Sequence, residues 1–273
     1  MKLSVHGCAS AAAVLLAIGA FGAGPAAAAP QVDLASHQAV YKLSMASARN
    51  GSPVVGVAGR MQLAFTDACD GWTVEQKFQL HFSYAEGEDM EMQTNYATWE
   101  SKDGKRFRFN TRKTTNGKPD EDLSGDATLN GAAGGTVRYK APKPAELPLP
   151  AGTIFPTAHT VLLVQQARAG EHFFARPLFD GSDAEGSTVV TAVIGRAMPV
   201  EAAKDQPAEL RRETGWPIHL AFYGSDPAAA EPEYENLQTQ LDNGVVQSMI
   251  IDYGTFKVKA VLESLKVLPK NPC

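Results

Sequence analysis

The sequence is short of several things that would name a chemistry. It has no Gly-x-Ser-x-Gly elbow, no His-Glu-x-x-His pair, no phosphate loop and no glycine-rich dinucleotide fingerprint. It has no basic cluster, so nucleic acid and anionic lipid headgroups are poor partners for it. Cysteine is scarce, at three residues. Beyond the first thirty residues no apolar run is long enough to cross a bilayer, so no transmembrane segment is expected in the mature chain. At 44% hydrophobic and 20% charged, the composition is that of a globular protein rather than a disordered one.

The start of the chain has a different character. Lys2 is the only charge before Asp33, and an apolar stretch from Ala11 to Phe21 follows it. Gly22-Ala-Gly-Pro-Ala-Ala-Ala-Ala29 then supplies small residues of the Ala-x-Ala type. That order predicts a secretory signal peptide over residues 1–29 and export to the periplasm, with residues 30–273 as one domain. Cys8 precedes the apolar run and leaves with the signal. Loss of Lys2 takes the 25 basic residues to 24 against 30 acidic ones, and the net charge from −5 to −6. Two cysteines remain, Cys69 and Cys273, an even number in an oxidising compartment.

Period-two patterning dominates what remains. Tyr41, Leu43 and Met45 alternate with polar residues. Val55, Val57, Met61, Leu63 and Phe65 share one parity, as do Trp72, Val74, Phe78, Leu80 and Phe82. Such strands have one dry and one wet face, as antiparallel sheets do. Asp103-Gly104, Asn116-Gly117, Asn130-Gly131 and Asn243-Gly244 mark turns. Further strands are expected near 90–100, 105–113, 135–140, 171–179, 187–195, 217–223, 233–241, 245–252 and 255–267. About a dozen strands imply a barrel, a sandwich or a strongly curled sheet. After a proline-rich stretch, 142–150, one segment breaks the rhythm. Thr157 can cap a helix there, Arg168 suits its last turn and Gly170 can end it. Val161-Leu-Leu-Val164 is apolar most of the way round, so this helix is expected to be enclosed by sheet or packed on one sheet face.

Candidate site residues are few. Of the five mature histidines, His81 falls on a wet face. His159 lies in the helix's first turn. It reads either as a core histidine bonded to a carbonyl or carboxylate, or as a ligand-sensing or catalytic group whose pKa is set by burial at the positive helix end. Asp180, Ser182 and Asp183 read as a polar turn with too few oxygens for calcium. Glu86, Glu88, Asp89 and Glu91 read as a solvated hairpin tip, and no metal site or cofactor is expected. Met90, Met92, Trp99, Phe107 and Phe109 read as core, or as the lining of a groove if the sheet curls without closing.

Four landmarks in this order resemble the EipB family of alphaproteobacterial periplasmic cell-envelope integrity proteins. They are Asp67-Ala-Cys-Asp-Gly-Trp72, Leu149-Pro-Ala-Gly-Thr-Ile-Phe-Pro-Thr-Ala-His-Thr160, Phe179-Asp-Gly-Ser-Asp183 and the terminal Cys273; the strand His37-Gln-Ala-Val-Tyr41 fits too. The resemblance implies a mainly β fold: a curled antiparallel sheet, a β-spiral of about fourteen strands, around one central α-helix. It implies a disulfide between Cys69 and Cys273. A redox role for the pair is the alternative, though the Cys-x-x-Cys spacing that lowers a thiol pKa is missing. It also implies a non-enzymatic envelope-integrity role. By analogy of shape, candidate ligands are a lipid, a lipoprotein acyl chain or a peptide segment on the concave surface. A scaffold for another periplasmic protein and a cell-wall or lipid hydrolase are the other readings.

Overall fold

The structure is a computed structural model and describes residues 32–201, 206–224, 230–269 and 273. The expected signal peptide and its cleavage point lie outside the described residues. The first eight strands form one antiparallel meander: β1 (His37–Ala48), β2 (Val54–Asp67), β3 (Gly71–Tyr84), β4 (Met90–Ser101), β5 (Arg106–Thr115), β6 (Lys118–Leu129), β7 (Gly135–Ala141) and β8 (Ala145–Leu149). Helix α1 (Pro156–Ala169) follows. A second meander then holds β9 (Phe173–Leu178), β10 (Thr188–Ile194), the two-residue β11 (Met198–Pro199), β12 (Thr214–Tyr223), β13 (Tyr234–Leu241), β14 (Val246–Asp252) and β15 (Phe256–Val267). The first and last strands pair along nearly their full length, from His37 opposite Val267 to Ala48 opposite Phe256. That seam joins the two meanders into one 15-stranded sheet running from β8 at one edge to β9 at the other, with β11 beside β12.

The sheet curls because its connector is short. Laid flat, fourteen strands in a row would set the edges about 62 Å apart at ~4.8 Å per strand. Yet Ile154, five residues after the end of β8, bridges to Leu178 of β9. Five residues reach at most ~18 Å. The sheet therefore wraps until its edges nearly meet, without closing into a barrel. Phe155 and Phe179, one from each side of that gap, are fully buried against Phe107, Phe109 and Tyr139 of β5 and β7.

Helix α1 occupies the interior. None of its residues before Arg168 is exposed. Leu163 and Ala167 pack among Phe174, Val190 and Leu220 of the second meander, while Val164 packs with Val32 and Leu34. The all-round apolar segment is thus enclosed, as its pattern required. Its N-cap is Phe155 rather than Thr157, and no side chain of the helix caps it. Pro156 at the first position has no N–H to satisfy. Gly170 ends the helix at φ +75°, with its N–H and that of Glu171 on the carbonyls of Ala167 and Gln166.

Local differences from the sequence pattern have physical reasons. A bulge between Val54 and Gly56 turns Val55 outward and puts Val54 in the core. Trp99 lies on the face opposite Met92, Tyr96 and Glu100, beside Arg106 and Arg108. The acidic segment 118–129 is a strand, with Leu123, Gly125, Ala127 and Leu129 inward. Gly125 is needed there because a Cβ would lie 2.6 Å from the Phe109 ring. Proline-rich 145–149 is the edge strand β8, where Pro148 is tolerated because one side of the strand has no ladder to complete.

Cys69, in the β2–β3 turn, is bonded to Cys273 across 204 positions. Chain-entropy reasoning gives on the order of 5 kcal/mol for such a loop. Cys69→Ser is expected to lower the melting temperature by roughly 10 °C and to make it insensitive to reductant. Equal melting of variant and wild type under oxidising conditions would show that the bond contributes nothing to stability.

Candidate functional site

Inside the curl, the space beside the first half of α1 is a cavity of about 320 Å³. Its walls come from both meanders. Leu63 and Phe65 of β2, Leu163 of α1, Leu178 of β9, and Leu220 and Phe222 of β12 supply apolar surface. The polar lining is His37 from β1, Gln76 from β3, Thr157, His159 and Thr160 from α1, and Gln238 and Gln240 from β13. A second cavity of about 530 Å³ adjoins it, sharing Val74, Gln76, Pro156 and Leu178 as walls; its further lining includes Thr94, Tyr96, Thr98 and Tyr234 and the charged residues Lys113, Glu121 and Asp180. Both volumes fall in the ~300–1,000 Å³ range of small-molecule sites.

The helix that forms one wall is held by a residue from the first meander. Glu100 of β4, 3% exposed, accepts hydrogen bonds from the Thr157 N–H at 2.7 Å and the Ala158 N–H at 2.8 Å. The His159 N–H already bonds to the Phe155 carbonyl. With Pro156 lacking an N–H, every donor at this helix start has a partner. Burial pushes the Glu100 carboxyl up to about 7, against the pull of the two N–H groups.

His159 is 5% exposed, and its Nε2 has no hydrogen-bond partner. The carbonyl or carboxylate that the core reading anticipates at this atom is not there. Burial pulls its pKa down to about 4, so the ring is neutral at pH 7. His37 is similar: its Nδ1 lies 2.7 Å from the Ala35 carbonyl oxygen, while its Nε2 is buried and unpartnered. On β13 the amides form a chain. Asn236 Nδ2 donates to Gln238 Oε1, Gln238 Nε2 to Gln240 Oε1, and Gln240 Nε2 to the carbonyls of Leu241 and Val245.

Of the other candidates, Asp180 and Ser182 line the second cavity, while His81 and the acidic hairpin tip lie outside both. His81 lies on the outer surface between Glu91 and Asp89, at 2.6 and 3.0 Å, so the acidic hairpin tip is partly an ion-pair site. Asp180 Oδ1 accepts from the Ser182 N–H and Asp183 Oδ1 from the Glu185 N–H, two local turns of the expected kind. The loop is also anchored inward, with the Tyr96 hydroxyl on the Asp180 carbonyl and the Thr111 hydroxyl on that of Gly181. Among the described residues no cluster of His, Cys, Asp and Glu is arranged to hold a metal, and no helix is long and apolar enough to cross a membrane. Neither Cys69 nor Cys273 is among the residues that line the two cavities. The pattern missed Glu100, Gln76, Gln238, Gln240 and His37 as interior residues. The parity of Met90 and Met92, continued through Thr94, Tyr96 and Thr98, is the one signal that leads to Glu100.

Comparison with known proteins agrees with this architecture. The family model described as EipB-like matches residues 28–269. The cell envelope integrity protein EipB of Brucella abortus (strain 2308) is 32% identical over 250 residues, covering 90% of this chain and 88% of its own length. A crystal structure from Brucella abortus, described as a β-barrel-like protein of a domain of unknown function, superposes with a TM-score of 0.80 at 29% identity. The match covers 87% of this chain and all of the other.

The two buried groups oppose one another in their response to pH. Glu100 binds its proton more tightly folded than unfolded, so its contribution to stability is complete below about pH 4.5 and is lost as pH rises through 7. His159 binds its proton less tightly when folded, so its contribution is present above pH 6.5 and is lost as pH falls through 4. The two slopes largely cancel between pH 4.5 and 6.5. Over that interval Glu100→Gln is expected to gain stability with rising pH, by roughly 2 kcal/mol, and His159→Leu to lose about as much. Urea midpoints measured across the range check this; parallel profiles for the three proteins would refute it.

Proposed function

This chain belongs to the EipB-like family, and we propose that it supports cell-envelope integrity from the periplasm by holding an apolar or amphipathic part of another molecule inside its curled sheet. The observation that carries the proposal is the pair of adjoining cavities between the sheet and α1. A protein whose helix simply filled its sheet would leave no such space. We read the role as non-enzymatic, in line with the name of the Brucella relative, a cell envelope integrity protein. The envelope role follows the name of the Brucella relative. Periplasmic residence follows the signal-like start of the sequence. Lipids, lipoprotein acyl chains and peptide segments would all satisfy the apolar wall of the inner cavity.

A scaffold reading has one observation in its favour. Val193, His219, Leu237, Ile250 and Lys259 are successive cross-strand partners. They line an outer groove in which Val193 and Leu237 are about half exposed.

The two readings separate in a deletion strain. Loss of the gene is expected to sensitise cells to detergent and to cell-wall antibiotics, and the wild-type chain to restore resistance. Val74→Trp, which puts bulk into the wall shared by both cavities, is expected to fold but to fail in complementation. Leu237→Glu, on the outer groove, is expected to complement. The reverse pattern would assign the work to the outer face, and a deletion without phenotype would remove the envelope role.

A further inference from the structure

The lining of the inner cavity carries information about what kind of head group it admits. Among its described lining residues there is no Asp, Glu, Lys or Arg. Charge transferred into such a site without a partner is expensive. Two features nearby would attract an anion: Lys113 of the adjoining cavity, which is already ion-paired with Asp120, and the N-terminus of α1. Glu100 already occupies the N–H groups of Thr157 and Ala158 there. An incoming carboxylate or phosphate would find that end closed and guarded by a second acid.

The polar atoms left over have a definite demand. His37 Nδ1 faces a carbonyl oxygen, that of Ala35, so this nitrogen carries the proton and donates. The tautomer is thereby fixed, and Nε2 presents a bare lone pair that accepts. That atom is buried without a partner, as is the Nε2 of His159 on the facing helix. His37 is 2% exposed but lines the cavity, so its Nε2 is met only by a group that packs directly against the ring. Unsatisfied buried groups of this kind are rare and carry a penalty that a ligand's donor would remove.

We infer that the cavity takes an uncharged amphiphile whose head bears a hydroxyl or amide N–H, with its acyl chain against the apolar wall formed by Leu63, Phe65, Leu163 and Phe222. A monoacylglycerol has this chemistry, and so does an amide-linked acyl chain. The inference rests on the proposal that the interior binds an amphiphile, and it adds selection by charge and by donor.

Calorimetric titration of the purified protein at pH 7.5 with three ten-carbon probes tests it. Monodecanoylglycerol carries hydroxyl donors and no charge; methyl decanoate carries neither donor nor charge; decanoate carries a charge. Monodecanoylglycerol is expected to bind at least tenfold more tightly than either of the others. In His37→Leu the preference over methyl decanoate is expected to shrink to within about twofold, a ratio that a general loss of affinity would not change. Decanoate binding as well as or better than the glyceride overturns the inference and leaves interior binding standing. Methyl decanoate binding as well as the glyceride in the wild type overturns the donor requirement, and so does an unchanged preference in His37→Leu. Binding of none of the three overturns both the inference and the proposal beneath it. Should His37→Leu fail to fold, the wild-type ranking decides alone.

Discussion

The seam between β1 and β15 is the interaction on which the architecture depends. Each meander is locally simple, with every strand beside its sequence neighbour apart from the short β11. Only the ladder from His37–Val267 to Ala48–Phe256 turns two half-sheets into one. The core beneath it is correspondingly mixed: Tyr41, Leu43 and Met61 of the first half pack with Val258, Ala260 and Leu265 of the second. Tyr41 also donates its hydroxyl to the Val246 carbonyl, tying β1 to the start of β14. The disulfide spans the same junction, from the β2–β3 turn to the chain's last residue.

With the seam closed, the connector between the far edges dictates the rest. Because the chain passes from β8 to β9 through α1, the helix must lie where the edges converge, inside the curl. A strand face that looks onto a helix terminus needs polar groups, and this explains why β4 turns Glu100 and its threonines inward. The interior is therefore not a uniform hydrocarbon core. It has an aromatic end around Phe107, Phe155 and Phe179, and an amide- and imidazole-bearing side around Gln240 and His159.

Much of this was legible in the residues, because alternation and turn chemistry are local. Tyr41 and Leu43, the hairpin glycines and the enclosed Val161–Val164 segment all fall where their pattern placed them. The misses share a different cause. The acidic β6 and the proline-bearing β8 look like loops until their neighbours are known, since Gly125 serves the Phe109 ring and Pro148 is tolerated only at an edge. Thr157 has the right residue type for a cap, but Glu100, more than fifty residues earlier, does the capping. The polar side of the cavity was hidden for the same reason. A glutamine or histidine on a strand reads as solvent-facing until a second sheet half is folded over it.

The seam also has a consequence in time. As the polypeptide is synthesised, β1 is among the first strands available and β15 is the last. Until then β1 has β2 on one side and an open ladder on the other, and open strand edges are templates for wrong pairing. The eight strands of the first meander can zip up early through local contacts, but the contact that unites the molecule spans more than two hundred residues of chain. Folding of this kind is limited by its longest-range pairing. The protein is thus a structure that remains two unfinished halves until the twelve residues of β15 arrive.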